Sequence, residues 1–142
     1  MTKSETLATY LDKAAADNVA TAIMAMAAAA AQIAAQIRNP QRALDAAAGE
    51  TNADGDTQKE LDVLADGIIE DALRDTDVSV YLSEEREDAV SLGDGALMVA
   101  CDPLDGSSNI GVNVSVGTII SVLPVAGGAL QPGRDQLAAG FF

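Results

Sequence analysis

The chain is organised around one stretch near its centre, Asp102-Pro103-Leu104-Asp105-Gly106-Ser107-Ser108-Asn109-Ile110. The apolar residues 96–101 precede it and predict a buried strand, which we expect to end in a turn preset by Pro103. Both aspartates can then face one point at the carboxyl end of that strand. The small residues after them let backbone N–H groups approach an anion closely. The stretch therefore predicts a divalent cation site beside a phosphate site. The alternative is an ordinary turn, because Asp, Pro, Gly, Ser and Asn are the usual turn residues.

The composition limits the chemistry that the chain can perform. Its 142 residues are the size of a single domain, and its 22 acidic and 8 basic residues give a net charge of −14. Such a surface repels nucleic acid and anionic membranes, so we expect neither as a partner. The chain has no histidine, which excludes a Ser-His-Asp triad and imidazole metal ligands. Carboxylates remain as the plentiful reactive groups, and bound cations would be required to attract a phosphate ester.

The number of cysteines and the N-terminal residues indicate in which cellular compartment the chain is expected. Cys101 is the only cysteine, so no internal disulfide forms and a reducing cytoplasm is expected. Its apolar neighbours predict a buried residue, and no base is present to activate it as a nucleophile. The polar first residues do not have the pattern of a signal peptide. Residues 20–35 are apolar but mostly alanine, and we expect a packed helix rather than a membrane span.

Helical periodicity dominates the first half of the chain. We expect a short helix over residues 6–16 and a long one that ends at Asn39-Pro40. A polar loop is expected over 51–56, followed by a helix that begins with a capping box at Thr57 and runs to about Leu73.

Strand patterns dominate the second half. An alternation of apolar and polar residues predicts a strand that ends at the pair Glu84-Glu85; its apolar members are Val78, Val80 and Leu82. We expect a polar loop over 86–95 and one or two further strands within 112–125. Helices followed by mixed helix and strand predict a layered α/β domain.

Further carboxylates are candidates for the same site. Glu84 and Glu85 follow a strand, where adjacent side chains point in different directions, so one can bind a metal while the other contacts a water. The alternative is a solvated charge pair. Asp62 lies inside the predicted third helix, where an acidic residue near the N-terminus also simply favours the helix dipole. Asp54 and Asp56 have the alternative of being turn and cap residues.

The stretch at 102–110 closely resembles the signature of class I fructose-1,6-bisphosphatases, which belong to the metal-dependent, lithium-sensitive sugar and inositol phosphatases. The part from Ser107 to Ile110 is similar to the fructose bisphosphatase branch, since inositol phosphatases more often carry Thr in this loop. Matches in the same order extend over nearly the whole chain: Thr6-Leu7, residues 59–64, Ser83-Glu84-Glu85, residues 114–119 and residues 130–140.

This resemblance implies the first half of a layered α-β-α-β-α fold and assigns metal ligands. The side chains of Glu84, Asp102 and Asp105 match residues that bind the metals, as does the main-chain carbonyl of Leu104. Glu85 matches a further metal-site glutamate.

The resemblance also assigns the residues that act on water and phosphate. Asp62 and Glu85 match the pair that orients and deprotonates the attacking water, and Asp56 matches an aspartate of a mobile loop that closes over the site. The phosphate loop is matched by Gly106, Ser107 and Ser108, with Asp105 directly before them.

The implied reaction is hydrolysis of the 1-phosphate of fructose 1,6-bisphosphate to fructose 6-phosphate, in gluconeogenesis or Calvin-type metabolism. Oxygen ligands favour Mg²⁺ or Mn²⁺, with two or three ions in the complete enzyme. The partners implied are a sugar bisphosphate and further copies of the chain, as a dimer or tetramer. Two alternatives stay open: a sedoheptulose-bisphosphate or inositol-phosphate phosphatase, and a non-catalytic fragment that binds metal or a full-length partner.

The chain departs from the family pattern in three places. Gly111 stands where an aspartate is usual, and the Gly-Thr-Gly-Glu turn of AMP-inhibited members is absent, so we expect no AMP regulation. Residues 136–142 stop inside a recognisable segment. We therefore expect residues 1–142 to form the metal- and phosphate-binding N-terminal domain without the sugar-binding C-terminal domain, and to be inactive alone.

Overall fold

The structure is a computed structural model that describes residues 4–38, 53–112 and 114–142, with the backbone alone at 53–59 and 111–112. Its helices are α1 (Leu7–Ala14), α2 (Asp17–Ile37) and α3 (Ala53–Leu73). Its strands are β1 (Val78–Ser83), β2 (Val90–Ser91), β3 (Leu97–Asp105), β4 (Gly117–Pro124) and β5 (Ala138–Phe141). Short 3₁₀ segments cover Ser107–Val112, Val125–Gly127 and Gly133–Asp135. The layered α/β prediction is confirmed.

The first two helices form as their sequences predict. The hydroxyl of Thr6 accepts a hydrogen bond from the Thr9 N–H and caps α1, while alanine-rich α2 has high intrinsic helix propensity. The observed helix α1 is shorter at both ends than the helix predicted over 6–16, and Ala15 and Ala16 separate it from α2. Residue Pro40, predicted to end the long helix, lies outside the described residues, and α2 ends at Ile37.

α2 packs as a core helix. Its buried residues recur at helical spacing and form one stripe: Val19, Ala22, Ile23, Met26, Ala29 and Ile33. This stripe packs mainly on α3. By length and composition alone, α2 is also the one helix among the described residues that is apolar enough to cross a membrane. One helix of this kind is weak evidence for a membrane span, because the core helices of soluble proteins pass the same test.

The strands form one mixed sheet in the order β2-β1-β3-β4-β5. β1 and β3 run parallel, with Ser83 opposite Cys101, whereas the other neighbours are antiparallel. β1 therefore ends beside Cys101, and the next residues of the two segments, Glu84 after β1 and Asp102 within β3, lie next to each other. α2 and α3 cover one face of the sheet, and the core lies between them and the buried residues of β1, β3 and β4.

The turn expected at Pro103 is not where the sequence places it. β3 continues to Asp105, and its register with β4 shifts between Asp102 and Asp105. Proline has no N–H to donate, which is tolerated where a ladder is irregular, and the Thr118 hydroxyl donates to the Pro103 carbonyl at 2.9 Å. The chain turns at Gly106 instead.

The loop expected over 51–56 is also wrong for its described part, since α3 begins at Ala53. Alanine favours helices, and acidic residues such as Asp54 and Asp56 suit the positive end of the helix dipole. The predicted capping box at Thr57 therefore falls inside the helix rather than at its start. Residues 51 and 52, and the side chain of Asp56, lie outside the described parts.

Two strand details differ from the expected pattern. Val78 is buried as predicted, but Tyr81 rather than Val80 or Leu82 fills the core, because the β1 register shifts between Val78 and Val80. The polar loop expected over 86–95 contains the short edge strand β2, which pairs with β1. Two residues give too little alternation to be recognised from sequence.

Candidate metal and phosphate site

The centre of the candidate site is the point where β1 ends beside Cys101 of β3, which continues to Asp105. The Glu84 N–H donates to the Cys101 carbonyl at 3.0 Å and continues the β1–β3 ladder by one residue. This places the Glu84 side chain in hydrogen-bonding contact with Asp102. Two carboxyl groups, one directly after β1 and one within β3, thus lie close to each other.

Asp102 is half-buried and carries the largest perturbation among these acids. Burial, then the hydrogen bond and charge of Glu84, and finally the charge of Asp105 raise the pKa of Asp102 to about 6. The Leu104 N–H, which donates to Asp102 Oδ1 at 3.1 Å, partly opposes this rise by stabilising the ionised form. A cation would relieve the repulsion that remains between the carboxylates.

Asp62 reaches the same region from α3. Burial raises the pKa of Asp62, the Ser107 side chain lowers it through a hydrogen bond, and the charge of Asp102 raises it further. Among the side chains that the structure describes, none donates to its buried Oδ1 atom. A buried carboxylate oxygen without a donor is costly, which makes it an acceptor available to a water or a cation.

Glu85 lies on the turn after β1. Its pKa is raised by partial desolvation and then by the charges of Asp62, Asp102 and Asp66. The structure therefore brings together carboxyl groups from three elements: Asp62 of α3, Glu85 of the turn after β1 and Asp102 of β3. All of them were candidate site residues on sequence grounds.

The loop after β3 has the backbone geometry that its glycine permits. Gly106 has φ of +78°, in the left-handed region, and its carbonyl accepts from the Asn109 N–H at 2.8 Å. A Cβ at Gly106 would lie 3.2 Å from both Asn109 Nδ2 and the Ser115 carbonyl oxygen. The 3₁₀ segment that begins at Ser107 keeps the loop close to Asp62.

The remaining predicted site residues contribute differently. The Leu104 side chain is buried in the core, Asp105 is exposed at the end of β3, and Ser108 is exposed on the loop. No three acidic or cysteine side chains within residues 60–110 and 114–142 already form a group arranged to hold a metal. The donor chemistry nevertheless fits Mg²⁺ or Mn²⁺, because the cluster offers only oxygen ligands and includes an unpartnered Asp62 oxygen.

Sequence reasoning missed a second set of charged residues beside the site. Asp66 is only 5% exposed, and it contacts both Tyr81 and Arg86. The spacing of Asp62, Asp66 and Glu70 at four-residue intervals was the available signal, because such residues share one face of a helix. Arg86 gave no signal, since its partners are distant in sequence.

The raised pKa values predict that the metal-free chain becomes more stable as the pH falls from 7.5 to 5. For Asp102 the folded pKa, about 6, exceeds the unfolded value of 3.8. The folded state therefore binds the proton more tightly, and this stabilisation is complete below 3.8 and lost as the pH rises through 6. After allowance for solvent screening we expect a gain of about 1 kcal/mol in the free energy of unfolding.

Urea titrations in EDTA at both pH values measure this gain. Asp102→Asn should largely remove it, because Asn does not titrate, whereas the matched control Asp94→Asn, at the other end of β3, should retain it. An equal gain in the parent chain and Asp102→Asn would contradict the assignment.

Comparisons with known proteins agree on one family. Residues 3–142 match the family model described as fructose-1-6-bisphosphatase, N-terminal domain. A class 1 fructose-1,6-bisphosphatase from Methylorubrum populi is 50% identical over 138 residues, which cover 92% of this chain and 39% of that protein. A second, from Bradyrhizobium sp. BTAi1, is 46% identical over 149 aligned residues, which cover 100% of this chain and 43% of that protein.

A solved structure is similar over nearly the whole chain. The crystal structure of Leishmania major fructose-1,6-bisphosphatase in holo form matches with a TM-score of 0.78 and 29% identity, covering 98% of this chain and 44% of that one. The chain thus spans less than half the length of these relatives. Because the family model covers almost every residue, including all of the candidate site, the chain belongs to the fructose-1,6-bisphosphatase family, whose N-terminal domain it matches.

Proposed function

We propose that this chain provides the metal- and water-binding part of a phosphatase that hydrolyses the 1-phosphate of fructose 1,6-bisphosphate. The observation that carries the proposal is the convergence of carboxyl groups from α3, β1 and β3 beside the Gly106 loop, where they raise one another's pKa. The names of the relatives support a fructose bisphosphate over the sedoheptulose and inositol phosphate alternatives.

The residues proposed to hold divalent cations are Glu84, Glu85, Asp102 and Asp105, together with the Leu104 carbonyl. Mg²⁺ or Mn²⁺ bound there, as two or three ions in the complete enzyme, would lower the pKa of a coordinated water and neutralise charge on the phosphate. The described carboxylates do not already form a group arranged to hold a metal, so side chains must rotate for several of them to contact one ion. Glu84 and Asp105 are exposed and are free to do so.

Asp62 and Glu85 are proposed to act on the attacking water. A general base needs a free acceptor oxygen close to that water and a pKa nearer to the working pH than that of an ordinary carboxylate. Asp62 meets both conditions through its unpartnered Oδ1 and its raised pKa, and the pKa of Glu85 is raised in the same direction. Ser107 orients the Asp62 carboxylate by its hydrogen bond. The role proposed for Asp56 concerns a side chain outside the described residues.

The Gly106 loop, with Asp105 before it and Ser107 and Ser108 after it, is proposed to hold the transferred phosphate. Gly106 lets the backbone come close to the anion, and the exposed Ser108 hydroxyl is a further donor. The metal ligands precede the turn and the phosphate donors follow it. The two functions are therefore expected to separate under mutation.

Gly106→Ala tests this division. A Cβ at φ +78° costs roughly 1–2 kcal/mol, and it also crowds Asn109 and Ser115. We expect the affinity of the Mg²⁺-loaded chain for inorganic phosphate to fall about tenfold, with a smaller loss of Mg²⁺ affinity. Amide chemical shifts recorded during phosphate and Mg²⁺ titrations give both values.

The matched control is Gly133→Ala, where an added Cβ meets nothing within 4 Å. It should leave both affinities unchanged. A larger loss of Mg²⁺ affinity than of phosphate affinity in Gly106→Ala would refute the proposed roles of the loop and the aspartates.

The wider setting follows from the same proposal. The substrate would be a sugar bisphosphate of gluconeogenesis or a Calvin-type cycle, handled in the cytoplasm, and the complete enzyme would be a dimer or tetramer. Nucleic acid and membranes are not proposed partners, because the net charge of −14 repels both. The 1–142 region is proposed to be the metal- and phosphate-binding domain, and the sugar-binding groups are assigned to a further domain.

A further inference from the structure

Arg86 follows the proposed metal and water residues Glu84 and Glu85, and its side chain packs back onto α3. Its Nε and one terminal nitrogen both donate to Asp66 Oδ2 at 2.5 Å, and the terminal nitrogen also lies 2.6 Å from Glu70 Oε2. The side chains of Arg86, Asp66 and Glu70 are 31%, 7% and 14% exposed. The carboxylates of this ion pair are therefore largely desolvated, whereas the Arg86 side chain is only partly so.

Tyr81 completes the contacts of Asp66. Its hydroxyl donates to Asp66 Oδ1 at 2.9 Å, and its ring centroid lies 6.0 Å from the Arg86 guanidinium carbon. Both oxygens of Asp66 are therefore engaged, one by Arg86 and one by Tyr81. The strand β1, the turn after it and α3 are joined through one buried carboxylate.

The turn that carries Glu84 and Glu85 is held at both ends. At its start the Glu84 N–H donates to the Cys101 carbonyl of β3 at 3.0 Å. At its end the Arg86 N–H donates to the Ser83 carbonyl at 3.3 Å, and the Arg86 side chain holds α3. The Glu85 N–H donates to the Ser83 hydroxyl at 3.2 Å, which is a third hydrogen bond that restrains the turn.

α3 also carries Asp62, four residues before Asp66, so both lie on the same face of the helix. The ion pair between Arg86 and Asp66 thus sets where the turn stands relative to Asp62. Glu85 and Asp62 come from different elements, and both must reach one water in the reaction proposed above.

We propose that Arg86 is a positioning residue, which fixes the Glu84–Glu85 turn against α3 so that Glu85 and Asp62 face a common site. This inference rests on the proposed function for what that site does, but its geometric claim stands separately. Arg86 contacts neither substrate nor metal in this role; it acts through Asp66, Glu70 and the turn.

Whether a variant binds Mn²⁺ more tightly or more weakly distinguishes a positioning role of Arg86 from the effect of its positive charge alone. Arg86 is a positive group beside a proposed cation site, so on charge alone Arg86→Gln would strengthen Mn²⁺ binding. The double variant Asp66→Asn/Arg86→Gln loses one charge of each sign and on charge alone would change little. Positioning predicts weaker Mn²⁺ binding in both, by about tenfold, as for other groups that orient metal ligands.

The experiment uses the 142-residue chain. Calorimetry measures its affinity for Mn²⁺, and amide hydrogen exchange in EDTA measures the protection of the turn in the absence of metal. The double variant is the main test, because Arg86→Gln alone leaves Asp66 buried without its cation and risks unfolding. Arg74→Gln is the matched control: Arg74 also pairs with Glu70, but its side chain is 51% exposed and it directly follows the last residue of α3.

We expect exchange protection of the Glu85 and Arg86 amides to fall at least tenfold in the double variant, while the β3 amides keep theirs and Arg74→Gln behaves as the parent. Unchanged protection of the turn, or an equal loss throughout β3, would overturn the positioning role. Equal or tighter Mn²⁺ binding by the double variant would do the same. If the parent chain binds no Mn²⁺, the proposed function fails for this chain, and the exchange result still decides whether Arg86 holds the turn.

Discussion

The 142-residue chain alone is expected to release phosphate from fructose 1,6-bisphosphate at least roughly 1,000-fold more slowly than a fusion in which the C-terminal part of the Methylorubrum populi relative follows it. The reason is that the chain alone does not hold the substrate in the position that the reaction needs. Holding a reactant in line with its nucleophile accounts for roughly 7–11 kcal/mol of a barrier. The chain offers carboxylates for water and cations, but the resemblance assigns the groups that hold the sugar and its 6-phosphate to the region beyond the 39% of the relative that it matches.

Phosphate release is measured with Mg²⁺ for the purified chain, the fusion, and the fusion carrying Asp62→Asn. The last variant removes the proposed base while keeping the size of the side chain and one acceptor oxygen, and it should lose about 10²–10⁴-fold in turnover. Comparable turnover by the chain alone and the fusion would refute the proposed division of labour between the domains. Light scattering checks each sample, because exposed Ile119 on β4 and exposed Phe141 on the edge strand β5 favour self-association.

Much of the fold could be predicted because local patterns agree with the packing. The apolar spacing of Ile23, Met26 and Ile33 indicated a helix that packs by one face, and the structure buries these residues. The apolar run before Asp102 indicated a buried strand, which is confirmed as β3. In these elements the same residues determine both the local conformation and the core.

The predictions failed where a distant contact overrides a local preference. Pro103 is a strong turn signal, yet β3 continues through it because the shifted register with β4 needs no N–H there. Tyr81 enters the core only because of an irregularity in the pairing of β1 with β3. Strand pairing of this kind involves residues far apart in sequence, so periodicity along one segment does not predict it.

In the candidate site too, some residues could be predicted from the sequence and others only from the fold. Residue types and spacing indicated Asp102, and the family resemblance added Asp62 and Glu85; the structure places the three close enough for their charges to interact. Their roles in binding metal and water stay predictions. The pairing of Arg86 with Asp66 spans 20 residues of sequence and could not be found without the fold.

Removal of Asp105 should abolish most of the cation affinity of the chain. Asp105 ends β3, and its charge acts on Asp102, which indicates that the two carboxylates share one electrostatic site. A cation relieves that repulsion only if both carboxylates are present. Loss of a ligand should weaken binding by at least about tenfold, because even residues that only orient ligands contribute about 10- to 100-fold in metal affinity.

The measurement that tests the metal site most directly is a calorimetric titration of the 142-residue chain with Mn²⁺ and with Mg²⁺ at pH 7.5, beside Asp105→Ala and the control Asp94→Ala. Each variant removes one exposed carboxylate, and only Asp105 belongs to the proposed site. We predict binding by the parent chain and by Asp94→Ala, and affinity at least about tenfold weaker in Asp105→Ala. Equal binding by the parent chain and Asp105→Ala, or equal losses in both variants, would contradict a cation site at the end of β3.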